Sequence, residues 1–248
     1  YLIPALANNS AALHPTVITA EIDSGTLPNA GAVGTGVSCG VDSFHAISAQ
    51  ANSPYPSMRL THLALNNVGS HGVGSEGRRN YEKHRQHVQA FCKEYGFKLV
   101  LSDSNIADVF EQNMLVTHTY TSAFAIYALQ KFWRRYFYAS SGFGLESFSL
   151  TNSQHFSSAR YELILLPTFS TPSLQIYSEG PNLRRLDKIR AVAQYEPAFR
   201  YLNVCGRFPS CNKCRKCKRT LLELYAIGQL DNFSACFDLA HFRKHLDW

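Results

Sequence analysis

The chain has no run of about 18 apolar residues, so no transmembrane helix is expected. It has no charged, apolar and small-residue succession at its N-terminus, so no secretory leader is expected. It has no lysine between Tyr1 and Gln50, which removes a Walker-type phosphate loop from that stretch. It has no large charge excess: the net charge of +6 is spread along the chain, permits an anionic ligand and does not demand nucleic acid. Tyr1 stands where an initiating Met would, so upstream residues are expected to have been removed. Seven cysteines is an odd number, and four of them are clustered. This argues against a disulfide framework and for a reducing, cytoplasmic setting.

What is present fits one α/β domain with a small appendage: 248 residues, 45% of them hydrophobic. The chain is organised around Ala32 to Ala49, AVGTGVSCGVDSFHAISA. Ala32 to Val37 are small and apolar and read as a buried strand. Ser38, Cys39, Gly40, Val41, Asp42 and Ser43 follow as a tight turn, and a helix runs on from about Asp42 with Phe44 and Ile47 on its apolar face. A strand, a small-residue turn and a helix start aim free backbone N–H groups at an anion. Ser38 and Ser43 add hydroxyl donors, and Gly40 lets a phosphate approach the backbone. A dinucleotide fingerprint starting at Gly34 and Gly36 fails, because its third glycine falls on Cys39. The alternative is an ordinary glycine-containing turn.

Along the rest of the chain, residues 1–30 carry Pro4, Pro15 and Pro28 and are assigned no chemistry. Arg59 to Val68 reads as the second strand, and the loop after it holds His71, either a site residue or a solvent-exposed histidine. Glu76 to Gly96 is a polar helix stopped by Gly96; its Arg78, Arg79, Lys83, His84 and Arg85 form a solvated face or an electrostatic funnel. Phe97 to Ser102 is the third strand. Ile106 to Phe137 is helical in pattern, and Tyr136 to Ala139 is the fourth strand. Ser140 to Gly144, including Gly142, makes a second small-residue turn, and Glu146 is the nearest carboxylate for Mg²⁺, or simply a helix start. Tyr161 to Pro167 and Leu174 to Tyr177 read as late strand around a hydroxyl-rich loop. Arg184, Arg185, Lys188 and Arg190 start a basic helix that reaches phosphates or is merely solvated.

Cys205, Cys211, Cys214 and Cys217 form C-x5-C-x2-C-x2-C, a spacing suited to Zn²⁺ in a tetrahedral thiolate site, with an iron–sulfur cluster as the alternative. Neighbouring Arg207, Lys213, Arg215, Lys216, Lys218 and Arg219 offset the negative charge of such a centre. Four ligands leave no open position, so the metal would hold the fold rather than react. Leu221 to Leu230 reads as a short helix. His241 and His245 lie four apart, without an obvious third ligand, in a docked terminal helix.

Ser38-Cys39-Gly40-Val41-Asp42-Ser43 resembles the S-G-G-x-D-S loop of the N-type ATP pyrophosphatases, with Cys in place of the first Gly. With the four-cysteine knuckle, the chain resembles the 7-cyano-7-deazaguanine synthase family. The resemblance implies an adenine-nucleotide alpha-hydrolase-like parallel sheet flanked by helices. It implies an ATP-binding α/β domain at 31–204 and a zinc element at 205–248. It also implies an ATP-dependent C–N ligase that cleaves ATP to AMP and pyrophosphate, adenylates a small carboxylate and passes it on to amide and nitrile. Ser38, Cys39, Gly40, Val41, Asp42, Ser43, Gly142 and Arg185 would hold ATP and Mg²⁺, with Asp42 and Ser43 catalytic. The four cysteines would bind Zn²⁺. A homodimer is compatible with the resemblance. Departures are Cys39, the short first cysteine spacing, and the lack of a Gly-Tyr-Pro-Asp-Cys-Arg-like stretch in 140–160. Cys39 is either a packing substitution or a thiol for sulfur transfer. The other open readings are a tRNA-modifying enzyme that uses the basic knuckle, and a nucleotide-fold module that only binds a partner.

Overall fold

In the computed structural model, residues 17, 19–21, 25–110, 114–144 and 157–244 are described. Ala32–Gly36 is β1, and Val41–Ala51 is α1. His62–Asn67 is β2, Gly74–Tyr95 is α2 and Lys98–Asp103 is β3. Ile106–Phe110 is α3, Met114–Ala128 is α4 and Trp133–Ala139 is β4. Glu162–Thr168 is α5, Gln175–Glu179 is β5, Arg185–Val192 is α6 and Ala198–Tyr201 is α7. Arg215–Ala226 is α8 and Leu239–Lys244 is α9. The five strands form one sheet in the order β3-β2-β1-β4-β5, and every pairing is parallel. The α/β class expected from the sequence is the one observed.

A parallel sheet buried on both faces needs apolar residues on both sides of its central strands. The first strand supplies them by alternation. Val33 joins a cluster with Phe44, Ile47, Phe91, Ile189 and Leu221, so α1, α2, α6 and α8 cover that face. Ala32 joins Trp133, Tyr136, Ile126, Leu166 and Leu174 on the other face, beneath α4 and α5. The second strand alternates the same way, with Leu63 and Leu65 on one side and Ala64 on the other. Glycine is required at position 34, because a Cβ there would sit 2.4 Å from the Trp133 ring.

Three sequence expectations are corrected. The helical pattern of 106–137 is not one helix: α4 ends at Ala128, and β4 begins at Trp133 rather than Tyr136. Trp133, Tyr136 and Phe137 are aromatic residues that fit either element, and pairing of Ala32 with Trp133 decides for strand. Tyr161 to Pro167 is not a strand; Glu162–Thr168 is helical and buries Leu165 and Leu166. A short apolar run has no periodicity to separate the two readings. Leu221 to Leu230 is not a helix of its own: α8 begins six residues earlier, capped at Cys214, and ends at Ala226. Gly96 does stop α2, in the left-handed conformation at φ 72°.

Because all strands run the same way, the turns after β1, β2, β4 and β5 gather at one sheet edge. Strand order reverses at β1, whose neighbours are β2 and β4, so a crevice is expected at that edge. The C-terminal cysteine segment is part of the same packing: Cys217, Leu224, Phe233, Phe237 and Phe242 all belong to the cluster that contains Val33. Among the described residues, no helix is long and apolar enough to cross a membrane.

Gly34→Val should destabilise the protein by about 1–3 kcal/mol through overpacking against Trp133. Gly36→Ala, whose Cβ meets only the Tyr136 hydroxyl at 3.5 Å, should cost much less. Urea unfolding of both variants checks the contrast.

Candidate anion cleft and four-cysteine centre

The turn after β1 is closed by its own side chains. Ser43 Oγ accepts from the Ser38 N–H (3.0 Å) and donates to the Gly36 carbonyl (3.1 Å), and Ser38 Oγ accepts from the Gly40 N–H (3.3 Å). Ser43 is therefore a brace of the loop. The α1 N-terminus carries no side-chain cap, which leaves the first-turn N–H groups of Val41, Asp42 and Ser43 to water or a ligand. Cys39 adopts φ 52°, a left-handed geometry that glycine reaches without strain, and this explains the Gly in the resembling motif. Its carbonyl accepts from the Asn203 N–H at 2.9 Å. Its side chain is fully buried in the core, and burial, with Cys92 and Cys236 nearby, raises the thiol pKa well above its ordinary value. The nucleophilic reading of Cys39 is corrected: a buried, protonated thiol is inert.

Lys188 is the residue whose role the sequence reading missed. Read as one charge of a basic, solvated helix start, it is 1% exposed, while Arg184 and Arg190 are exposed. Its Nζ donates to the Ser140 carbonyl (2.5 Å) and to Asp42 Oδ1 (3.2 Å). The signal was positional: Arg185, Lys188, Ile189 and Val192 share one helical face, which α6 turns inward. Arg185 lies 3.8 Å from Asp42 Oδ2 and donates to Thr220 Oγ1 (3.1 Å) and Glu223 Oε2 (3.4 Å) of α8. Asp42 is thus flanked by two cations. Behind Lys188, Glu162 is fully buried and accepts from the Ser140 and Ser178 hydroxyls; burial raises its pKa, and the two hydroxyls oppose the rise.

Two clefts meet at this loop. One, of ≈ 280 Å³, lies between the ends of β1, β2 and β4 and α4, lined by Gly36, Ser43, Ala64, Asn66, Thr121 and Tyr138. The other, of ≈ 360 Å³, is basic, lined by Gly40, Val41, Arg185, Cys205, Lys216 and Arg219. Ser38, Asp42, Ser70, His71, His84 and Met114 line both and mark the junction. Asp42 is the only carboxylate on either lining among the described residues. The structure therefore brings together Ser38, Gly40, Val41, Asp42, Ser43 and Arg185. Gly142 lines neither cleft, although a Cβ on it would meet the Leu183 carbonyl at 2.9 Å and Lys188 Nζ at 3.8 Å; Ser141 faces the first cleft instead. Glu146 and His245 lie outside the described residues.

The solvent-exposed reading of His71 is also corrected. The glycine turn after β2 folds it against α2, where Asn80 Nδ2 donates to its carbonyl (3.2 Å) and its ring meets Tyr81 at 5.3 Å. Its Nε2 lies 2.7 Å from His84 Nδ1, and His84 Nε2 donates to the Ser38 carbonyl at 3.0 Å. Burial holds both imidazoles down at about 4. Asp103 opposes the shift at His71, while His71 itself adds to it at His84.

The four cysteines form a candidate metal centre. Their sulfur atoms all lie within 4.8 Å of one another, with Cys214–Cys217 at 3.6 Å and Cys211–Cys217 at 3.9 Å. A tetrahedral zinc with Zn–S of about 2.3 Å requires sulfurs about 3.8 Å apart, so the set fits. Backbone N–H groups of Cys211 and Cys214 point at Cys205 Sγ and Cys211 Sγ, both at 3.4 Å. The Lys213 and Cys214 N–H groups pull the Cys211 thiol down to about 6, while burial pushes Cys217 up. Cys214 caps α8 and Cys217 lies in its first turn, so the centre fixes the start of the helix that carries Thr220 and Glu223. Comparison with protein-family models, with curated proteins and with solved structures returns no match.

The protein should bind one zinc ion per chain, measured by mass spectrometry of the native protein. Cys214→Ser should lose it, together with several degrees of thermal stability. Buried His84 and half-buried His71 set a pH dependence. His71 and His84 titrate near 4 in the folded chain and near 6.5 once unfolded. As pH falls, the unfolded chain takes up protons first, so stability present above pH 6.5 is lost progressively between about 6.5 and 4. Urea midpoints across that window should fall, and His71→Asn should flatten the fall.

Proposed function

We propose that the chain is an ATP pyrophosphatase of the N type, which adenylates a carboxylate for C–N bond formation in the manner of the 7-cyano-7-deazaguanine synthase family. The observation that carries this reading is the braced Ser38–Ser43 loop at the uncapped start of α1, set where a neutral cleft meets a basic one. An ATP laid across the junction puts its nucleoside in the neutral cleft. Its β and γ phosphates lie toward Arg185, Lys216 and Arg219, and its α phosphate lies beside Ser38 and Asp42. The parallel sheet with β1 at its order reversal agrees with the nucleotide-binding architecture that the loop motif implies.

In this reading the N–H groups of Val41, Asp42 and Ser43 hold the charge that develops on the leaving pyrophosphate, a contribution typically worth about 10²–10³ in rate for one such donor. Lys188 and Arg185 supply fixed positive charge beside it. Asp42 is the carboxylate that would hold Mg²⁺, which usually binds through one or two carboxylates plus substrate phosphates. Mg²⁺, when bound, neutralises phosphate charge. Zn²⁺ at the four cysteines would be structural, because all four ligand positions are protein thiolates. Alignment of the carboxylate oxygen with the α phosphate accounts for much of the remaining acceleration.

A second reading has one specific observation behind it. Lys213, Arg215, Lys216 and Lys218 are exposed along the knuckle and the start of α8, beside the basic cleft. A tRNA acceptor would use that face, and its binding would weaken steeply with salt.

Incubation with ATP, Mg²⁺ and a panel of carboxylates, a deazapurine carboxylate among them, should give AMP and pyrophosphate. Asp42→Asn, which keeps an acceptor for Lys188 Nζ, should reduce that output at least 100-fold in a chain that circular dichroism shows to be folded. ADP and phosphate as the products would overturn the proposal. ATP binding without turnover, coupled to salt-sensitive tRNA binding, would favour the second reading.

A further inference from the structure

The adenylation reading leaves open where the proton of the attacking nitrogen goes, and the histidine pair at the cleft junction answers it. The hydrogen-bond directions in this pair are fixed by chemistry. The Ser38 carbonyl can only accept, so His84 Nε2 carries a proton, and burial, which keeps this ring neutral, leaves His84 Nδ1 a lone pair. That lone pair can only accept, so His71 Nε2 carries the proton between them at 2.7 Å. His71 Nδ1 is therefore a lone pair, and the Ser70 hydroxyl lies 3.3 Å from it. The chain runs one way, from Ser70 on the cleft through two imidazoles to the carbonyl of the anion loop. Its members line both clefts, the location that the α phosphate occupies in the reading above.

The surroundings keep the pair neutral and aligned. Phe208 covers the His84 ring at 4.9 Å, Tyr81 covers His71 at 5.3 Å, and Asn80 anchors the His71 backbone. The charged and titratable groups around them are Asp103 from β3, Tyr81 and His87 from α2, and Asp42 across the junction.

We infer that His71 is the proton acceptor of the amidation step, with His84 and the Ser38 carbonyl taking up the positive charge. The inference rests on the adenylation reading. An amine or ammonia attacks the acyl adenylate. The nitrogen lone pair forms the C–N bond, the C–O bond to phosphate breaks, and AMP leaves with that electron pair. The attacking nitrogen becomes cationic as it bonds, so its proton is acidic enough for a weakly basic imidazole to take. The proton passes to His71 Nδ1, and the Nε2 proton can move on to His84 Nδ1. The imidazolium so formed lies next to the phosphate oxygens of AMP, which stabilise it.

Two measurements test this. The first needs no turnover: nitrogen-15 spectra of the wild-type imidazoles at neutral pH should show His71 and His84 both protonated at Nε2 and bare at Nδ1. A proton on His71 Nδ1 would overturn the relay whatever the reaction proves to be. The second uses ATP, Mg²⁺ and a deazapurine carboxylate with either ammonia or hydroxylamine, which attacks acyl adenylates without help from a base. His71→Gln should lower ammonia-dependent amide formation by about 100-fold or more, in the usual range for general base catalysis. Hydroxamate formation with hydroxylamine should fall at least tenfold less than amide formation does. Equal losses with both nucleophiles would mean a structural role, and no loss with either would mean no role; each overturns the inference while the adenylation reading stands. Failure of the wild type to release AMP would instead remove the adenylation reading and this step with it.

Discussion

An ammonium ion buried at the C-terminal edge of the sheet is the constraint on which the site depends. Lys188 has almost no exposure, and its nitrogen is bonded to the Ser140 carbonyl and to Asp42. These three residues belong to three segments: α6, the turn after β4, and the start of α1. Lys188 is buried but the Asp42 carboxylate is about a third exposed, so removing Asp42 would leave a buried charge with the Ser140 carbonyl and whatever water reaches it, a loss below that of a fully buried pair. Here the same loss would also uncouple the two turns that wall the cleft. The Glu162 carboxyl, held by Ser140 and Ser178, braces the same turn from behind. The site is thus a packed electrostatic unit rather than a set of surface loops.

The unit extends to the four-cysteine segment by three short routes. Asn203 donates its N–H to the Cys39 carbonyl and its side-chain amide to the Cys205 carbonyl (2.8 Å). Arg185 links Asp42 to Thr220 and Glu223, three and six residues beyond Cys217. Phe208, within the cysteine segment, packs on His84 and His87 of α2. Order at the cysteines is therefore order at the anion loop. A metal there would act on the cleft mechanically, without entering it.

Much of this was legible in the sequence, and the reasons for the exceptions are physical. The buried strand Ala32–Gly36, the Ser38–Ser43 turn, the Gly96 stop and the cysteine cluster were readable because each depends on local chemistry. Small apolar residues, hydroxyls at fixed offsets, a left-handed glycine and thiol spacing all carry their meaning within a few positions. What escaped depends on neighbours distant in sequence. Trp133 becomes a strand residue because β1 pairs with it, and Glu162–Thr168 is a helix that buries Leu165 and Leu166, a choice that a short apolar run does not reveal by itself. Lys188 looks like surface charge until α6 turns its face inward. His71 and His84, thirteen residues apart, meet only because a glycine turn folds back on α2.

The main hydrophobic cluster has a consequence for the order in which the molecule can assemble. It contains Val33 and Val37 near one end of the described chain and Phe233, Phe237 and Phe242 near the other. During synthesis the strand that opens the sheet emerges long before the aromatic residues that cover it. The sheet can begin to pair, with α1 and α2 laid on that face early, but the cover from Phe233, Phe237 and Phe242 comes only last. The four thiols, too, come together only in that last stage. Birth of this protein is therefore a waiting problem, with the part of the cluster that Phe233, Phe237 and Phe242 cover open to other chains in the interval.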